Sequence, residues 1–194
     1  MKINKFFKDY RKRLDDALND ISLDTAYQAI EKAIQNDKNI FVCGNGGSAA
    51  IAEHFTCDHS KGVNTNTNFK PKYMCLNSNV SLLTAYANDY GYQYCFSKQL
   101  ELFGREDDLL ITISSSGKSA NIFLALSTAR DMKMKTISLT GFDGGPSKVL
   151  SDINIHVKEN NYGIVEDGHQ IIMHNIAQFI RTKHTTVDIN SVKL

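Results

Sequence analysis

Residues 39–48, Asn-Ile-Phe-Val-Cys-Gly-Asn-Gly-Gly-Ser, carry a short apolar run into a glycine-rich turn, and an alanine-rich stretch with helical character follows. The chemistry such a turn offers is anion binding. Gly44, Gly46 and Gly47 permit backbone conformations closed to other residues, and bare N–H groups at a helix N-terminus attract phosphate. Asn45 and Ser48 add side-chain hydrogen-bonding groups to the same turn. A second segment, residues 107–121, repeats the layout with hydroxyls in place of most of the glycines. Ser114, Ser115, Ser116 and Ser119 can surround a phosphate with O–H donors while adding no fixed charge, which suits a ligand that must leave as product. The plainer reading of Ser119 is a helix N-cap. Neither turn ends in Gly-Lys-Ser/Thr after a four-residue spacer, which argues against nucleoside triphosphate hydrolysis.

These turns need strands that end where they begin. Short apolar runs at 40–43, 72–76, 109–113, 136–140 and 153–157 read as strands, separated by helical patterns near 47–59, 80–87, 91–102, 119–132 and 165–182. Alternation of this kind predicts an α/β fold: a three-layer αβα sandwich around a five-stranded parallel sheet covered on both faces. Both turns then lie at carboxyl ends of strands, where ligands of open α/β sheets bind. Two helices precede the sheet within residues 1–36, at 3–20 and about 24–35. The first repeats Ile3, Phe6, Phe7, Tyr10, Leu14 and Leu18 at helical spacing and has no obvious place on the sheet, so it is expected at a subunit interface. The chain reads as one domain over 1–194, with a polar loop at 63–70 and a loose tail at 184–194.

Composition narrows the partners. With 22 basic against 21 acidic side chains there is no electrostatic footprint for nucleic acid or an anionic membrane, so a small-molecule ligand is favoured. No apolar run is long enough to span a bilayer, and the charged N-terminus lacks a signal-peptide pattern, so a cytoplasmic protein is expected. Cys43, Cys57, Cys75 and Cys95 show no C-x-x-C spacing and are expected to be reduced thiols.

Several segments together resemble the SIS (sugar isomerase) domain family, of the phosphoheptose isomerase type. They are residues 43–50 (Cys-Gly-Asn-Gly-Gly-Ser-Ala-Ala), His54 six residues past Ser48, 83–90 (Leu-Thr-Ala-Tyr-Ala-Asn-Asp-Tyr), 113–121 (Ile-Ser-Ser-Ser-Gly-Lys-Ser-Ala-Asn), 138–145 (Ser-Leu-Thr-Gly-Phe-Asp-Gly-Gly), and a last helix with His169 and His174. The resemblance implies a flavodoxin-like sheet. It implies a sugar phosphate bound by Asn45, Gly46, Gly47, Ser48, Ser114, Ser115, Ser116 and Ser119, with Asn88 and Asp89 on sugar hydroxyls. The implied reaction is isomerisation of sedoheptulose 7-phosphate to D-glycero-D-manno-heptose 7-phosphate, for lipopolysaccharide or capsule heptose, by a homotetramer. The alternatives are an isomerase of another sugar phosphate, or a non-catalytic phosphosugar-binding protein acting through a partner.

The family carries a His followed four residues on by Glu, and a Gln followed eight residues on by His. Here the corresponding residues are His54 with Asp58, and Glu166 with His174. Four residues turn a helix by about 400°, so His54 and Asp58 share a face and can chelate one metal. The resemblance implies Zn²⁺ held by His54, Asp58, Glu166 and His174, with Asp58 and His174 as the acid–base pair and Glu166 also facing substrate. Helix geometry alone favours Asp167 and Gln170 over Glu166 as companions of His174, and both stay as alternates. Asp58 could instead pair with Lys61, and Asp89 could be a turn residue. His59 and His184 are expected to face solvent, as is Lys118.

Overall fold

The computed structural model describes residues 2–188. Five parallel strands, β1 (Asn39–Gly44), β2 (Lys72–Cys75), β3 (Leu109–Ser114), β4 (Lys135–Thr140) and β5 (Ile153–His156), form one sheet in the order β2-β1-β3-β4-β5. The order reverses between β1 and β3, so the turns leaving these two neighbours splay apart and open a crevice at their carboxyl ends. Side chains alternate across the sheet: Ile40 and Val42 enter one apolar cluster, Phe41 and Cys43 the other. Strands buried on both faces are continuous apolar runs for that reason.

One face is covered by α1 (Ile3–Leu18), α2 (Asp24–Gln35), α3 (Gly47–Cys57) and α8 (Tyr162–His184); the other by α4 (Val80–Tyr90), α5 (Ser97–Phe103), α6 (Ala120–Asp131) and α7 (Gly145–Leu150). The expected three-layer αβα architecture is therefore present. Four local expectations change. The single helix expected at 91–102 is a 3₁₀ turn (Tyr92–Tyr94) followed by α5, because Gly91 at φ 100° breaks the run after α4. Helix α7 was not expected; Pro146 in its first turn suits a helix start, but six residues carry too little periodicity to reveal it. Helix α8 begins at Tyr162, where the Asn161 side chain accepts from the Ile164 amide at 3.1 Å. The 63–70 segment is not simply a polar loop, since Val63 is fully buried and Thr67 bridges to Thr185.

The first helix does have a place on its own chain. Tyr10 Oη donates to Asp167 at 2.7 Å, Arg13 makes a two-pronged contact to Glu159 at 2.7 and 3.0 Å, and Ala17 and Leu18 join the core. Its outer end still exposes Ile3, Phe6 and Phe7. His184 does not face solvent: it is half-buried on Glu31, which also receives Lys183 at 3.0 Å and the Tyr27 hydroxyl at 2.5 Å. Burial pushes the Glu31 carboxyl up, yet the hydrogen bonds from Tyr27, His184 and Lys183 outweigh it and hold the group at about 2. The beginning of the expected tail is likewise attached, with the Thr186 amide donating to the Asn66 carbonyl at 2.8 Å; residues 189–194 lie outside the described residues. Cys43, Cys75 and Cys95 are buried free thiols, and Cys57 is an exposed one.

Candidate active site

The first turn is framed by amides. Asn77 clamps Gly44 from both sides, accepting from its N–H at 3.2 Å and donating to its carbonyl at 2.9 Å. Asn45 exchanges reciprocal bonds with Asn121 of α6 at 2.8 and 2.9 Å, and Tyr92 Oη adds a third bond to it at 2.8 Å. The Asn45 side chain therefore ties the two turns together across the crevice. Asn77, Tyr92 and Asn121 lie in three different segments, and only the last belongs to a motif visible in the sequence. Gly47 has a specific reason to be glycine: a Cβ there would stand 2.6 Å from Glu166 Oε2 and 2.7 Å from Oε1. A carboxylate thus lies over the start of α3, where negative charge is favoured by the helix N-terminus. It disfavours a second anion in the same place.

The serine turn is braced differently. The Gly117 amide bonds back to Ser114, at 3.0 Å to its carbonyl and 3.2 Å to its hydroxyl, and the Gly117 carbonyl receives both the amide and the hydroxyl of Ser147, at 3.1 and 2.9 Å. Gly117 has φ +64°, and a Cβ on it would stand 1.9 Å from the Gly144 carbonyl oxygen. The loop after β4 thus locks the loop after β3. Lys118 faces solvent as expected but is engaged by Asp143 at 2.7 Å. Ser119 occupies the N-cap position of α6 without a side-chain capping bond. The Ser115 hydroxyl is buried without a hydrogen-bond partner among the described residues, so this turn retains unused polar capacity.

Helices α3 and α8 bring a third group together. His54 Nε2 and His174 Nε2 are 3.0 Å apart, and Asp58 Oδ2 lies 3.5 Å from the first and 3.4 Å from the second. Asp58 does not pair with Lys61. A tetrahedral zinc ion with bonds of about 2.0–2.1 Å holds its ligands roughly 3.3–3.4 Å apart, so the edges of this triangle match such a centre. Two imidazoles and a carboxylate can hold a divalent cation, and half-exposed side chains leave room for a further ligand. Glu166 is not in that cluster. Gln170 borders it, with its amide Nε2 3.3 Å from His174 Nε2, while Asp167 is taken by Tyr10. Burial and Asp167 together push the Tyr10 phenol up to about 12.

His59, expected in solvent, is completely buried. A π-helical turn, Asp58–Gly62, continues α3 and directs His59 inward while Asp58 stays at the cluster. Burial pulls the His59 imidazole down to about 3, despite its bond to the Met173 carbonyl. His169 on α8 is also buried and is pulled down to about 4 by desolvation. Asn88 and Asp89 lie at the exposed end of α4, where Asn88 donates to Asp89 at 2.9 Å. No hydrogen bond joins them to either turn among the described residues.

This site sits on a fold with known relatives. A family model for the SIS domain matches residues 5–141. The chain belongs to the SIS-domain family. A phosphoheptose isomerase of Aliarcobacter butzleri is 41% identical over 81% of this chain and 87% of its own length, and one of Helicobacter pylori is 35% identical over 92% and 93%. The solved structure of a phosphoheptose isomerase from Neisseria gonorrhoeae superposes with a TM-score of 0.84 at 30% identity, covering 93% of this chain and 97% of that one. Within the family the chain stands with the phosphoheptose isomerases, and it is an enzyme of the isomerase type. No helix among the described residues is long and apolar enough to cross a membrane.

Proposed function

We propose that the protein converts sedoheptulose 7-phosphate to D-glycero-D-manno-heptose 7-phosphate, supplying heptose for lipopolysaccharide or capsule. The observation that carries the reading is the meeting of His54, Asp58 and His174 from two helices on the face of the sheet where α3 leaves the crevice. Phosphate is held by Ser114, Ser115, Ser116 and Ser119, because Glu166 already places negative charge over the glycine turn. Asn88 and Asp89 hold sugar hydroxyls, and Asn45 and Ser48 hold the walls of the crevice.

The carboxylate of Asp58 takes the proton from C1 of the ketose while His174 donates one to the C2 oxygen, giving an enediol. The proton then returns from Asp58 to C2 as the O1 proton passes to His174, leaving the C1 aldehyde. Zn²⁺ held by His54, Asp58 and His174 would supply positive charge that stabilises developing oxyanion character. Gln170 suits the fourth position better than Glu166 does, since turning its amide over presents the oxygen to the same cluster. A nitrogen bound to a cation carries no proton, so His174 acts as acid only through a nitrogen the metal leaves free. Exposed Ile3, Phe6 and Phe7 on α1, and an α4 with no buried residue, support a homotetramer.

Incubation with sedoheptulose 7-phosphate, with and without Zn²⁺, tests the activity by NMR of the product. Aldose appearance with deuterium incorporation at C2 in D₂O is expected. Binding of the ketose phosphate with neither exchange nor turnover would overturn the enzymatic assignment of the site. Light scattering at micromolar concentration tests the tetramer, which a monomer mass would exclude.

A further inference from the structure

We infer that His59 is a positioning residue, which sets the spacing between Asp58 and His174 by joining the turn that carries the carboxylate to the helix that carries the imidazole. His59 directly follows Asp58 in the chain, and its Nε2 lies 3.2 Å from the carbonyl oxygen of Met173, the residue directly before His174. Its Nδ1 lies 3.1 Å from Tyr73 Oη on β2. A carbonyl only accepts, so Nε2 carries the hydrogen and Nδ1 accepts from the tyrosine hydroxyl. The ring is also stacked on Phe55 of α3, with centroids 3.9 Å apart and planes 12° from parallel. One side chain thereby connects α3, the edge strand and α8.

The surroundings explain why this is more than packing. His59 has no exposed surface, and an apolar residue of similar size would fill the space without requiring partners. What the imidazole adds is directional: two hydrogen bonds at opposite ends of a rigid ring, one of them to the backbone beside His174. Consecutive residues on a helix point about 100° apart, so Asp58 can face the two histidines while His59 faces the interior, where Tyr73 and the Met173 carbonyl meet it. An Asp with one methylene less than Glu has less reach to correct a misplaced helix, so the spacing of its backbone from α8 matters more.

The inference rests on the proposed reading of the cluster, and the test separates the two. His59→Leu removes both bonds, Tyr73→Phe removes one, and His59→Gln can restore a donor to Met173 and an acceptor for Tyr73. Three quantities are read: Zn²⁺ affinity of metal-depleted protein by calorimetry, kcat and KM for sedoheptulose 7-phosphate, and Tm. The expected result for His59→Leu is a loss of about ten- to a hundred-fold in zinc affinity, the range typical of groups that orient metal ligands, with a lower kcat and unchanged KM. Tyr73→Phe should show a smaller loss of the same kind, and His59→Gln should recover most of it. Wild-type zinc affinity and kcat in His59→Leu, or a lowered Tm alone, would overturn the inference; if His59→Leu does not fold, wild-type zinc affinity in Tyr73→Phe does so. Zinc binding without turnover in the unmodified protein would overturn the isomerase reading and leave the zinc affinities of the variants to decide the role of His59.

Discussion

The turns after β1 and β3 begin alike, and the structure sets them to different tasks. The glycine turn has its one amide side chain engaged, with Asn45 bound to Asn121 and Tyr92, while Asn77 clamps the Gly44 backbone and a carboxylate lies against Gly47. The serine turn is locked through its backbone by Ser147; the Ser114 and Ser116 hydroxyls only accept, from the Gly117 and Lys118 amides, and that of Ser115 is without a partner among the described residues. Hydroxyls that only accept from the backbone keep their own hydrogens free to donate. An anion cradle is therefore recognised by which donors remain unspent, and glycine content alone does not reveal it.

The sharpest test of this division is to remove the chemistry while keeping the cradle. His174→Ala should lower turnover by about 10²–10⁴-fold, with phosphosugar affinity largely retained in calorimetry. Asp58→Asn should fall in the same range. Comparable losses of binding and rate would mean that the cluster and the serine turn do not divide the work.

Next come the glycines. Gly117→Ala should destabilise the fold by more than about 2 kcal/mol in urea melts, because strain at a positive φ adds to a clash with the Gly144 carbonyl. Gly46, at φ +57°, has nothing within 4 Å of a built Cβ, so Gly46→Ala should incur backbone strain alone, roughly 1–2 kcal/mol. Equal losses would break the contrast between an interlocked turn and an open one. Ser116→Ala and Ser119→Ala should each weaken substrate binding by about 1–3 kcal/mol, and Ser48→Ala by less. A larger effect at Ser48 would return the phosphate to the glycine turn.

The smallest expected effect is on stability against pH. Glu31 is held at about 2, below its ordinary 4.5, so its stabilisation is present above pH 4.5 and is lost as pH falls toward 2. His59 and His169, held near 3 and near 4 as neutral bases, charge more readily in the unfolded chain, so their contributions are complete above about 6.5 and fall away toward those values. Thermal melts of the unmodified protein should lose stability in two overlapping steps on acidification. Glu31→Gln should remove the lower one, worth on the order of 1–3 kcal/mol. An unchanged profile in that variant would remove Glu31 as the link between α2 and the end of α8.

Periodicity and turn chemistry carried the architecture. Five apolar runs, each followed by polar turn residues and a helical pattern, leave a doubly wound parallel sheet as the arrangement that buries both faces of the strands, and the two turns at the crevice follow from it. The pairing of His54 with Asp58 was legible because four residues bring side chains to one face of a helix. Tertiary structure decided what spacing along one element cannot encode. It placed Glu166 on Gly47 and brought His174 to His54 and Asp58, because the position of α8 against α3 depends on packing between segments more than a hundred residues apart in the chain. It buried His59, because Tyr73 of β2, Phe55 of α3 and Met173 of α8 close around that face of the turn, and these segments are brought together only by the fold. It gave α1 a site on its own chain through Tyr10, which bonds Asp167 of α8, and Arg13, which bonds Glu159 in the segment before that helix, contacts between polar groups that leave no hydrophobic pattern to read.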